Sequence, residues 1–206
     1  MNILGINPGH NGSAALLIDG ELEFYIEEER LSRSKYDGNP FRGIIEGLQH
    51  KVDVLVIGGT EKYPQLIWTG EDPYSALVRK FNPDVKVFRL NEVHHSGHAA
   101  NAFYGSGFDD AAAIIVDGAG GYQTVTYNEE QKNSGWETES IFDCDYEKGI
   151  KVVYQSFGGN QDTISLSNDD IVMDSAVTIV KAYEAVSEYL GFGFIEAGKT
   201  MGLAPY

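Results

Sequence analysis

Sulfur, positive charge and long apolar runs are all scarce in this chain. Cys144 is the one cysteine in 206 residues, so no disulfide can close within the chain and a thiolate metal cluster is excluded. Lysine and arginine total 15 against 31 aspartates and glutamates, a formal net charge of −16. A nucleic-acid backbone or an anionic membrane recruits the opposite excess, so neither is the expected main partner. No run of ~18 apolar residues offers a membrane span. The opening MNILGINPGHNG lacks the basic and apolar regions of a secretory signal, and Asn11-Gly12-Ser13 is then a chance glycosylation match. The expectation is a soluble, acidic, cytoplasmic protein without a membrane partner.

What is present is enough apolar residue, 42%, for one good core or two small ones. Residues 2–7 read as a buried strand ended by Pro8-Gly9. Asp19-Gly20 is a two-residue turn signal between strands 14–18 and 22–26. The charged EEERLSRSKYDG then leaves the sheet. Residues 40–50 carry Phe41, Ile44, Ile45 and Leu48 at helical spacing, and VDVLVIGG reads as a strand buried on both faces. EDPYSALVRKFN is a helix with Pro73 in its first turn, and VKVFRL is another strand. AAAIIVDG and YQTVTYN follow as strands about the AGG loop. The polar stretch 129–170 holds one or two strands, 138–142 and 151–157, and residues 171–190 read as a long helix stopped by Gly191 and Gly193. The order predicts an α/β fold with a mixed sheet.

Three of the five histidines fall in NEVHHSGHAANAFYGSG, residues 91–107. On a helix, a step of four residues returns to nearly the same face, so His94 and His98 point one way while His95 is turned ~100° away and free for a substrate. Asn91 stands where a cap would. Two imidazoles and the strand-end Asp117 form a candidate metal site with room for substrate, against the plainer reading of a surface histidine helix. The zincin pattern fails, because His95 stands where glutamate is required. Asp117-Gly118-Ala119-Gly120-Gly121 suits either an amide cradle for phosphate or an ordinary hairpin, and alone the hairpin is favoured. The loop 6–13 likewise reads evenly as an oxyanion-binding loop with His10 at its tip or as a hairpin with an exposed histidine. Residues 193–200, GFIEAGKT, match the phosphate-loop pattern formally. The match is rejected: a helix precedes it, Gly202 and Pro205 oppose one after it, and Glu196 repels a phosphate. Lys199 remains a candidate anion contact in another geometry.

Taken together, LGINPGHNGSAALLIDG, EEERLSRSK, HHSGHAANAFY, VDGAGG and LGFGFIEAGKTMGLAPY resemble the N-terminal domain of the O-carbamoyltransferases of nodulation-factor and antibiotic biosynthesis. The resemblance runs the length of the chain and is carried by the ordered combination. It implies one lobe of an actin-like ATPase (ribonuclease H-like) fold with a mixed five-stranded sheet. It also implies ATP-dependent transfer of a carbamoyl group from carbamoyl phosphate, through carbamoyl adenylate, to a hydroxyl acceptor such as a sugar or natural product. The implied site is a divalent metal, iron or zinc, on His94, His98 and Asp117, with His10 near the acceptor hydroxyl. Asn11, Gly12, His95, Gly118, Gly120, Lys199, Arg33 and Lys35 are the implied substrate or nucleotide contacts. Asn11 and Gly121 depart from the family pattern, each removing a carboxylate. Residues 1–206 are expected to be a truncated transfer domain, with a second lobe and a C-terminal adenylate-forming domain beyond Tyr206. The other readings are a threonylcarbamoyl-type transferase acting on tRNA and a non-catalytic actin-like binding domain.

Overall fold

A computed structural model describes residues 1–59, 70–90, 93–127, 131–158, 164–165, 172–173, 178–193 and 196–205. The chain divides into two compact units, Met1–His94 and His95–Tyr206. The first is built on a five-stranded sheet. Strands β1 (Asn2–Asn7), β2 (Ser13–Ile18) and β3 (Glu21–Glu27) pair antiparallel in succession, with Asp19 and Gly20 at φ 51° and 92° in the turn between β2 and β3. Two positive-φ residues give the tight turn whose twist matches the flanking strands. After helices α1 (Glu28–Ser32) and α2 (Phe41–Gly47), β4 (Val54–Ile57) joins β1 in parallel. Helix α3 (Pro73–Phe81) then returns the chain to β5 (Lys86–Arg89), parallel to β4. The order β3-β2-β1-β4-β5 is the mixed sheet that the element order predicts, in the ribonuclease H-like arrangement that the resemblance implies.

Period-two alternation builds the core of this unit. Leu4 and Ile6, Ala14 and Leu16, and Leu55 and Ile57 are buried together with Ile44 of α2 and Tyr74 and Val78 of α3. Each large aliphatic side chain among them contributes about 1.5–3 kcal/mol. Val54 and Val56 are only half-buried, so β4 is covered fully on one face rather than two. Helix α2 lies close on β2: a Cβ on Gly43 would fall 2.7 Å from that of Ala14. Its start is held by the fully buried Glu28, whose carboxylate accepts from the amides of Arg42 and Gly43 and from the Arg42 guanidinium.

Asp72 caps α3, accepting from the amides of Tyr74 and Ser75 at 3.0 and 2.8 Å and pairing with Arg89 of β5. Burial alone would raise this carboxyl; the Ser75 amide and hydroxyl and the Arg89 guanidinium outweigh it and leave it below the usual carboxylate range.

The second unit begins as α4 (His94–Ser106) runs into β6 (Asp110–Val116), β7 (Tyr122–Tyr127), the long β8 (Gln131–Asp145) and β9 (Gly149–Gly158). The first residue of α4 is the point where the units divide. Strand β7 pairs with the first half of β8 and β6 with the second half, while β9 takes the opposite edge. The 117–121 segment is thus not a hairpin turn between paired neighbours. It connects two strands lying end to end along β8, at the level of Glu137 and Thr138. Ala99 and Phe103 of α4 pack on Ala113, Phe142 and Cys144. Burial pushes the Cys144 thiol up, as suits a core residue.

Beyond a short pair, β10 (Ile164–Ser165) with β11 (Val172–Met173), α5 (Ile179–Tyr189) and α6 (Ala197–Leu203) complete the described elements. The expected helix 171–190 starts later because Val172–Met173 is strand and the Thr178 hydroxyl caps α5 through the Lys181 amide at 3.1 Å. Its apolar stripe is largely exposed, Ile179 by 68% and Val186 by 51%. Gly191, at φ 84°, ends it as expected. A helix does form here, against the sequence reading: α6 starts at Ala197, inside GFIEAGKT, and is tied to α5 by the Thr200 hydroxyl donating to Ser187. The element before that segment is a helix all the same, so the strand–loop–helix order of a phosphate loop is not met. No helix among the described residues is long and apolar enough to cross a membrane.

Candidate metal centre

Helix α4 presents two faces to two environments. His95, Ala99 and Phe103 recur every four residues and are buried. His94 and His98, one step round the helix, stay at the surface, half-buried and exposed respectively. Together with Asp117, which follows the last residue of β6, they form a cluster whose ligand atoms all lie within 4.8 Å of one another. His98 Nε2 is 3.8 Å from Asp117 Oδ2. Two ligands each ~2.1 Å from a shared ion lie ~3–4 Å apart, so this spacing suits a divalent cation bound through two imidazoles and a carboxylate. The donor set fits zinc and iron alike. Asn91, the expected cap of α4, lies outside the described residues.

The surroundings of the cluster orient its carboxylate. Gly118 N–H donates to Asp117 Oδ1 at 2.7 Å, leaving Oδ2 toward the histidines. The Asp117 amide donates to the Thr138 carbonyl at 2.9 Å and the Gly120 amide to the Glu137 carbonyl at 2.7 Å. The amides of Gly118 and Gly120 therefore hold the protein's own oxygens, where the sequence reading has them as phosphate donors. Gly120 is needed for space: a Cβ there would fall 2.5 Å from His95 Nε2 and 2.9 Å from the Glu137 Cβ.

His95 lies beneath this loop. It is turned inward, fully buried, with Nδ1 2.7 Å from the Ser140 hydroxyl and Nε2 3.9 Å from Asp117 Oδ2. It supports the ligand loop from beneath and is not open to a substrate. Glu137, which sequence reasoning missed, is equally buried beside Gly121.

The other expected site residues fall in separate places. His10, exposed at the tip of the 8–12 loop, lies 3.2 Å through Nδ1 from the Asn11 side-chain oxygen, and Asn11 is left-handed at φ 61°. The Gly12 amide donates to the Asp37 carbonyl and that of Gly9 to the Gly38 carbonyl, both at 2.9 Å, so the expected oxyanion contact at Gly12 is already occupied by backbone. Asp37 is held below the usual carboxylate range chiefly by the Asn39 amide. Arg33, at φ 60°, and Lys35, whose ammonium lies 5.0 Å from the Tyr36 ring centre, are cations beside this clamp. Lys199 pairs with Glu196 at 2.5 Å on the exposed side of α6.

Comparison with known proteins gives this arrangement a family. Residues 46–206 match the carbamoyltransferase N-terminus family, and the chain belongs to it. The nodulation protein NolNO of Sinorhizobium fredii is 26% identical over 220 residues, covering 96% of this chain and 28% of that protein. The uncharacterised protein sll1178 of Synechocystis is 30% identical over 171 residues, covering 64% of this chain and 28% of its own length. The chain thus spans little more than a quarter of these two curated relatives. Among solved structures, YeaZ from Pseudomonas aeruginosa is similar at 14% identity and a TM-score of 0.37, covering 82% of this chain and 71% of that one. A likeness that loose carries no weight for function.

Proposed function

We propose that this chain is the N-terminal part of an enzyme that transfers a carbamoyl group from carbamoyl phosphate, activated with ATP as carbamoyl adenylate, to a hydroxyl of a sugar or natural product. The observation that carries the reading is a coincidence in position. The carbamoyltransferase match spans residues 46–206, and within it His94, His98 and Asp117 converge to within 4.8 Å. These three side chains would hold a divalent cation, which when bound supplies Lewis-acid polarisation of a carbonyl or phosphoryl oxygen.

The chain's own residues divide the remaining work. The Gly118 amide orients the Asp117 carboxylate, and buried His95 lies 3.9 Å behind its other oxygen, so the candidate ligand set is partly arranged before anything binds. Exposed His98 is the member of the triad nearest solvent and sets the side from which a substrate arrives. His10 is assigned to take the proton of the acceptor hydroxyl, with its ring oriented by the Asn11 side chain. Asn11 in place of a carboxylate makes this a weaker orienting partner for an imidazolium. Arg33 and Lys35 are assigned to the anionic donor and nucleotide, and Lys199 to an anion that exchanges with Glu196.

The test uses the full-length protein with carbamoyl phosphate, ATP and a panel of hydroxyl acceptors, alongside metal analysis. Carbamoylated product and near-stoichiometric iron or zinc are expected, with metal content falling in His94→Ala and product in His10→Ala. A wild type free of transition metal after metal-supplemented expression would overturn the site. Undiminished product from His10→Ala would overturn that residue's role.

A further inference from the structure

The candidate metal centre rests on a residue outside its ligand set. We infer that Glu137 is its positioning residue: one buried carboxylate that fastens the Asp117–Gly121 loop to the histidine helix and so sets the distance between Asp117 and the two imidazoles. This rests on the metal reading of His94, His98 and Asp117.

Glu137 sits in β8, where the loop between β6 and β7 faces it. Its side chain is 1% exposed. Oε2 accepts from the Gly121 amide at 3.0 Å and lies 3.5 Å from the His95 amide, at the limit of a hydrogen bond. Oε1 accepts from the Gln123 and Gln155 side-chain amides at 2.9 and 2.7 Å. Every one of these partners is an N–H donor, so both oxygens act as acceptors alone. The main chain of the same residue closes the loop from the other side, donating to the Gly121 carbonyl and accepting from Gly120.

One side chain thereby touches the second half of the ligand loop, the first turn of the ligand helix and both strands flanking β8. A register shift between Glu137 and Glu139 makes this possible, turning Glu137 inward although the alternation of Ser140, Phe142 and Cys144 would send it outward. Burying a carboxylate is costly unless its oxygens are all satisfied, and here Oε2 is satisfied from the candidate ligand loop and helix and Oε1 from the two flanking strands. Asp117 is tied to that loop by its own neighbour Gly118, so movement of the loop is movement of the ligand.

Reach is the property the clamp needs. Glu137→Gln keeps the length, and the Gln123 and Gln155 carboxamides can turn their oxygens to the new amide. Glu137→Asp keeps the charge and is one methylene too short to serve both ends. Two readouts are taken on the full-length protein: amide hydrogen exchange of the 117–121 loop and His95 in metal-free protein, and titration with Co²⁺ alone, followed by its visible spectrum.

The expected result is that Glu137→Asp exchanges faster in the loop and binds Co²⁺ about tenfold or more weakly with an altered spectrum, while Glu137→Gln matches wild type in both. Unchanged loop exchange in Glu137→Asp overturns the clamp. Faster exchange with unchanged Co²⁺ affinity and spectrum also overturns the inference, because Glu137 is then structural only. If wild type binds no Co²⁺, the metal reading has failed by itself, and the exchange result still decides whether the clamp exists.

Discussion

At the scale of single residues, the site depends on where side chains are absent as much as where they are present. Gly120 has no room for a Cβ, since His95 Nε2 and the Glu137 Cβ occupy the space. Gly97 of α4, by contrast, has nothing within 4 Å of an added Cβ. Gly120→Ala is therefore expected to destabilise the protein by about 1–3 kcal/mol through overpacking. Gly97→Ala is expected to be neutral or stabilising by up to about 1 kcal/mol, because alanine is the better helix former. Urea unfolding compares them directly. Equal effects would contradict the packing of His95 under the loop. The shared face of His94 and His98 was legible in sequence, because a four-residue repeat on a helix fixes a common face whatever lies around it. The fate of His95 was not: a ~100° turn from the ligand face leads to substrate or to core, and only the packing of Ala99 and Phe103 on β6 and β8 decides which.

At the scale of elements, the hairpin joining β8 to β9 gives a pH-dependent prediction. The Lys148 ammonium, and then the Lys148 and Glu147 amides, bond to Asp145 and hold its carboxyl at about 2, down from 3.8. A depressed carboxylate stabilises the fold above its unfolded value and loses that contribution as protons bind. The Asp145 contribution is thus complete above about pH 4 and lost as the pH falls toward about 2. Asp145→Asn is expected to flatten the acid limb of the stability curve between those values, read as thermal midpoint against pH, and to leave the neutral region less affected by pH than by the substitution itself. An acid limb identical to wild type would show that the Lys148 contact is not formed. Elsewhere, the element boundaries that sequence placed well are those with local chemistry. Asp19-Gly20 turns β2 into β3, Pro73 follows the Asp72 cap of α3, and Gly191 ends α5. Those it misplaced depend on distant partners. α6 forms despite Gly202 because the Thr200 hydroxyl ties it to Ser187 on α5, and the long β8 draws its length from pairing with β6, β7 and β9.

At the scale of the whole molecule, charge governs how stability responds to salt. A net charge of −16 on 206 residues repels itself in the folded state. Raising ionic strength from about 0.01 M to about 0.15 M shortens the screening length from about 30 Å to about 8 Å. The thermal midpoint is expected to rise across that interval. A midpoint that falls with salt would mean that specific ion pairs, such as Arg42 with Glu28 or Arg89 with Asp72, outweigh the general repulsion.

Composition, hydropathy period and turn chemistry by themselves determined the mixed α/β class, the order of the first-unit strands and helices, and the common face of His94 and His98. These follow from interactions between residues near in sequence, which any fold containing the segment must respect. Tertiary structure alone decided that Asp117 meets those histidines, that His95 and Glu137 are buried beneath it, and that the Gly12, Gly118 and Gly120 amides serve the chain's own oxygens. Each of those depends on a strand register or a loop closing over its neighbour. At Glu137 a single register shift reverses the face to which a side chain points. That is why the buried carboxylate beneath the candidate site stayed hidden in a polar stretch of sequence.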